Sequence, residues 1–112
     1  MSVSLTGRWL AEEIGGLEAV NGVRVILDFQ TSGGVGGSGG CNAIRGQASI
    51  KGLRVAFSPM AATRMACPPD VLDQEARVLA GLAETRRHRI EEEALVLLSE
   101  GGVPTLRLRR LP

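Results

Sequence analysis

Few residues in this chain could do chemistry. Cys41 and Cys67 are its only cysteines and His88 its only histidine, while Glu12-Glu13 and Glu91-Glu92-Glu93 are its carboxylate clusters. Gly34-Val35-Gly36-Gly37-Ser38-Gly39 has the spacing of a phosphate-cradling loop. Structural zinc normally takes four ligands, and neither Cys-x-x-Cys nor His-x-x-x-His occurs. A Cys–His nucleophile pair needs a third group to orient the imidazole, and Arg86-Arg87-His88-Arg89 supplies only like charge. His88 therefore reads as a residue on a solvated strand. Paired glutamates could hydrolyse glycosides, but that chemistry wants aromatic sugar platforms, and the only aromatics are Trp9, Phe29 and Phe57. Both clusters read as solvated strand ends or turns.

The glycine loop follows a convincing strand, as a dinucleotide site requires. It then runs into Cys41-Asn42-Ala43-Ile44-Arg45-Gly46 and another alternating strand instead of opening a helix onto a pyrophosphate. Its glycines read as relief of strain in a turn or bulge, with Ser32 to Gly40 a mobile connection or bulged edge. The two cysteines admit two readings. Buried free thiols pack as small hydrophobes, whereas a bridge between positions 26 apart would stabilise by about 3.5 kcal/mol. Compartment decides between them, and the bridge is the preferred reading.

The elements that must position these residues are mostly strands. Val23, Val25, Leu27 and Phe29 share one face of a period-two run, and Ala48 and Ile50 begin another. Lys51-Gly52 forms a tight turn into Leu53, Val55 and Phe57, read as inward. Leu95 and Leu97 precede Glu100-Gly101-Gly102, after which Leu106 and Leu108 alternate with arginines in a second hairpin. One segment has a different period. Pro68-Pro69-Asp70 opens a helix over about 70–83, with Asp70 as N-cap and a stripe of Val71, Leu72, Val78, Leu79 and Leu82 that Glu75 interrupts. The expected fold is α+β and mostly β: a curled antiparallel sheet or partly closed β-barrel with this one helix packed on it.

A length of 112 residues with 44% apolar content suits a single domain over 1–112. With few aromatics, the core is expected from Val, Leu and Ile, with Met60 and Met65 filling gaps. A net charge of +1 gives no electrostatic ground for a nucleic-acid partner. Arginines at 86, 87, 89, 107, 109 and 110 are read as neutralised across strands by Glu91, Glu92 and Glu93. No stretch approaches a membrane span.

Four phrases follow in one order: Gly7-Arg8-Trp9-Leu10, Gly39-Gly40-Cys41-Asn42, Thr63-Arg64-Met65-Ala66-Cys67, and the helix with Glu75, Val78, Leu79 and Leu82. Together they resemble the META domain family, which includes the bacterial heat-shock protein HslJ. Ala43 and Ile44 stand where the family commonly has an aromatic. The resemblance implies signature positions at Trp9, Gly40, Cys41, Asn42, Thr63, Arg64, Met65, Cys67 and Glu75, with Cys41 and Cys67 as the family's pair. It further implies a periplasmic, envelope-associated or secreted protein, with a cytoplasmic one as alternative. The implied role is non-enzymatic binding in stress tolerance, novobiocin-type antibiotic tolerance or secretion. An unidentified protein, or a small apolar ligand, would be the partner. The alternative is a carrier of a small apolar ligand or lipid in the barrel interior. No catalytic, metal or cofactor residue is expected.

Overall fold

The computed structural model describes residues 4–112. Ten strands and one helix follow in the order β1 (Gly7–Ile14), β2 (Leu17–Glu18), β3 (Ile26–Phe29), β4 (Gly34–Ser38), β5 (Ala43–Lys51), β6 (Arg54–Phe57), β7 (Ala61–Ala62), α1 (Pro69–Glu84), β8 (Thr85–Glu91), β9 (Ala94–Ser99) and β10 (Pro104–Arg110). Every pairing is antiparallel. The sheet runs β10-β9-β8-β6-β5-β4-β3-β1, and β10 returns to β1 through registers such as Ala11↔Leu108 and Trp9↔Arg110. The barrel is therefore closed, which removes the free edges that an open sheet would present. β2 and β7 are short additions beside β1 and β5. The thinnest seam lies between β6 and β8, held by Arg54↔Arg87 and a His88 N–H donated to the Leu53 carbonyl at 2.9 Å.

Inward positions alternate as strand geometry demands. Trp9, Val25, Leu27, Phe29, Val35, Ile44, Val55, Leu95, Leu97, Leu106 and Leu108 fill the barrel, and Val78 and Leu82 of α1 join them. Strand β9 departs from alternation, because Ala94, Val96 and Leu98 on its other face are buried as well. The cause is arginine. Val96 lies between Arg89 and Arg107 in register, and Leu98 faces Arg87. Their aliphatic stems cover the apolar outer face while the guanidinium groups reach water.

Those guanidinium groups are largely neutralised, by Glu91 as anticipated, but by Glu100 and Glu12 in place of Glu92 and Glu93. Glu91 takes both Arg89 and Arg107 at 2.9 Å, Glu100 takes Arg54 and lies 3.8 Å from Arg87, and Glu12 takes Arg109. The Arg107 hydrogen bond holds the Glu91 carboxyl below the usual carboxylate range, with Arg89 reinforcing it. Glu92 and Glu93 sit at the β8–β9 turn, where Glu92 adopts φ 55°.

Several expectations are corrected. Ser32 to Gly40 is no mobile connection: most of it is β4, an interior strand paired with β3 and β5. The turn after β5 is Gly52-Leu53, because Lys51 still pairs with Arg54, and Leu53 is 69% exposed at its tip. Ile50, beside that turn, is also exposed. Met60 packs against the core as expected, whereas Met65 is 59% exposed. Helix α1 is capped by Pro68, with Pro69 at its first turn and no side-chain cap bond; Asp70 lies inside the first turn, favourable to the helix dipole. Leu79 packs on the core but Leu72 faces solvent.

His88 is buried rather than solvated, with Nδ1 unpartnered among the described residues. Burial pushes its imidazole below the ordinary 6.5, and the Leu53 carbonyl partly opposes that push. As pH falls, the unfolded chain protonates here before the folded one does. The group thus costs no stability well above pH 6.5 and destabilises increasingly as pH drops through 6.5 toward the folded value. Denaturant unfolding of wild type and His88→Leu across this window should show a shallower pH slope in the variant. Identical slopes would contradict the burial effect.

Candidate binding site

Strand β4 runs out into Gly39-Gly40-Cys41-Asn42, the turn to β5, and this phrase is where the chain's elements are tied together. Gly39 is buried beside Glu75, and a Cβ there would stand 2.6 Å from the Glu75 Cγ. Gly40 adopts φ +124°, and its own Cβ would press on Val23 at 3.0 Å. Only glycines let the turn approach the helix so closely. Through that gap the Glu75 carboxylate enters, 6% exposed, and both its oxygens accept from Asn42: Oε1 from the backbone N–H at 2.8 Å and Oε2 from Nδ2 at 2.7 Å.

Asn42 turns its carbonyl the other way. Oδ1 accepts the Thr63 hydroxyl at 2.9 Å and the Met65 N–H at 2.7 Å. Thr63 Oγ1 in turn accepts the Ala43 N–H at 3.1 Å. One buried asparagine therefore joins the β4–β5 turn, the segment before the helix, and the helix itself. Beside it Cys41 is bonded to Cys67, with Cα atoms 6.5 Å apart. Cys67 in this state offers no thiolate nucleophile.

The signature residues thus divide. Gly40, Cys41, Asn42, Thr63, Met65, Cys67 and Glu75 converge, with Met65 contributing its backbone and leaving its side chain in solvent. Trp9 lies elsewhere, buried in the barrel with Nε1–H donated to the Leu5 carbonyl at 2.9 Å and the Arg110 guanidinium 4.2 Å from its ring centroid. Arg64 is exposed. The cluster also recruits a residue that sequence reading passed over: Gln74 is fully buried, and its Oε1 accepts the Val20 N–H at 2.6 Å. Two consecutive polar residues in an apolar helical stripe were the available signal.

Against this cluster lies a surface groove of about 790 Å³. Gly34, Gly36 and Gly37 of β4 line it together with Arg45 and Gln47 of β5, Gln30, Ser32 and Thr63. It exists because β4 carries almost no side chains. Its rim offers amides, a hydroxyl and a guanidinium, which can hold a polar ligand by hydrogen bonds but cannot transfer a proton as a matched acid–base pair. Among the described residues, no three His, Cys, Asp or Glu side chains gather as metal ligands. Nor is any described helix long and apolar enough to cross a membrane.

A closed antiparallel barrel with one helix, latched by a disulfide and by a buried Asn–Glu pair that Thr63 joins from the surface, is the class of domain this structure defines. The META domain family model matches residues 3–111, and the chain belongs to that family. Its fold is shared by a protein solved by NMR, with TM-score 0.72 and 19% identity over 93% of this chain and 88% of the other. A second NMR structure, of a protein from Burkholderia xenovorans, gives TM-score 0.74 and 23% identity over 94% and 81%. At these identities the likeness is one of fold. No curated protein matches the chain.

Proposed function

We propose that this is a non-enzymatic binding domain of the bacterial envelope or of a secreted protein, acting in stress or antibiotic tolerance or in secretion through its glycine-floored groove. The observation that carries this reading is the groove's construction. A strand stripped of side chains is held rigid on both edges, and its rim donates and accepts hydrogen bonds without presenting a reactive group. The Cys41–Cys67 bridge supports an oxidising compartment, since disulfides persist there and are reduced in most cytosols. The reading of an apolar-ligand carrier would need room along the barrel axis, where Trp9, Leu27, Leu95, Leu97, Leu106 and Leu108 pack.

Gly36→Gln tests the proposal. A Cβ at position 36 meets nothing nearer than the Ile44 carbonyl at 3.7 Å, so the substitution fills the groove without straining the fold. In a strain lacking the gene, the wild-type domain should restore heat and novobiocin tolerance or secretion, while Gly36→Gln, with an unchanged melting temperature, should not. Full restoration by the variant would refute a role for the groove.

A further inference from the structure

A second groove lies where α1 meets the β9–β10 hairpin, and its chemistry is different. It has a volume of about 450 Å³ and is lined by Arg77, Ala80, Gly81 and Glu84 of the helix and by Val103, Pro104 and Thr105 opposite, with Gly15 and Ser99 at its ends. A Cβ at Gly81 would come 2.7 Å from Leu106 Cδ1, so the helix backbone packs directly on β10 and the groove opens beside that contact. The polar atoms in its walls are already used. Thr85 gives its one proton to the Gly81 carbonyl at 2.7 Å, so Thr105 must donate to Thr85, also at 2.7 Å. Ser99 Oγ accepts the Val103 N–H at 3.1 Å. What the walls present to a visitor is mainly carbon, including Val103, which is 65% exposed.

The two charged side chains, Arg77 and Glu84, are the exceptions. Arg77 forms no ion pair and no hydrogen bond among the described residues, and its Nε is buried without a partner. The planar guanidinium fork of an unpaired arginine matches a carboxylate. Glu84 stands seven residues along the same helix, roughly 10 Å away at 1.5 Å per residue. That acid disfavours a second anionic group at the far end and sets a length close to the reach of an octanoate chain.

We propose that this groove binds a free medium-chain fatty acid, its carboxylate on Arg77 and its chain along Ala80, Gly81, Val103 and Pro104. The site is separate from the glycine-floored groove and does not rest on the reading given for it.

The test is an NMR titration of the full chain with sodium octanoate, with octanol as the uncharged control. Saturable shifts should centre on the amides of Gly15, Ala80, Gly81, Val103 and Thr105. Arg77→Gln should raise Kd at least about tenfold, which corresponds to about 1.4 kcal/mol. Arg77→Lys, retaining the charge, should lose less, and octanol should bind more weakly than octanoate. Should Arg77→Gln fail to fold, Ala80→Trp at an exposed helix position plugs the groove and should abolish the shifts. Absence of saturable binding would overturn the proposal. So would shifts centred on Gly34 to Gly37, equal affinity for octanol, or unchanged affinity in Arg77→Gln or Ala80→Trp.

Discussion

Asn42→Ala is expected to destabilise this domain by about 3–5 kcal/mol, because it strips partners from a buried charge while leaving that charge in place. Glu75 remains between the β4–β5 turn and α1, and one of its two donors disappears with Nδ2. The Thr63 hydroxyl and the Met65 N–H lose their shared acceptor at the same stroke. Domains of this size hold roughly 5–15 kcal/mol in all. A fall in melting temperature on the order of 15 °C should follow, readable by calorimetry or circular dichroism. Glu75→Leu with Asn42→Ala separates the cluster from its parts. If the asparagine serves mainly to satisfy the carboxylate, the double variant should lose clearly less than the sum of the single losses. Additive losses would show the two residues acting independently, with no latch between them.

The cluster is half legible in the sequence. Asn42, Thr63 and Glu75 were singled out by their place in the signature phrases, but Glu75 looked like a polar flaw in an apolar stripe. Nothing in one sequence tells a helix residue that its partner lies 33 positions earlier. Strands with side chains to alternate were readable: Val25, Leu27, Phe29, Leu95, Leu97, Leu106 and Leu108 are all inward. Strand β4 was not, because period-two patterning needs hydropathy contrast and four of the six residues from Gly34 to Gly39 are glycine. The groove is hidden for that same reason, since its floor reads as a loose connection. Alternation also misled near the β5–β6 turn. Ile50, near the end of β5, and Leu53, in the turn, keep the apolar period at the barrel's rim, where both emerge into solvent. Closure itself depends on β10 finding β1 across nearly the whole chain, a pairing that local pattern does not encode.

The same reasoning separates the latch from the disulfide that adjoins it. Replacing both Cys41 and Cys67 by Ser should cost about 3.5 kcal/mol if the bridge acts by restricting the unfolded chain, given its 26-residue separation. The folded state should survive the loss. Residue 42 already holds residues 63 and 65 through Asn42 Oδ1, so the two segments that the bridge joins stay together without it. That redundancy yields a sharper expectation than the midpoint shift alone. An effect confined to the unfolded ensemble leaves native contacts untouched, so the double-Ser variant and Asn42→Ala should add within about 0.5 kcal/mol. A bridge that instead holds the cluster in register would make the combined loss depart strongly from the sum, and amide exchange at Met65 would rise in the double-Ser protein. Denaturant unfolding of the four proteins (wild type, bridge-less, Asn42→Ala and the combination) decides between these. Near-additive losses with Met65 still protected would place the bridge's contribution in the unfolded chain. Strong coupling would make the cysteines part of the latch itself.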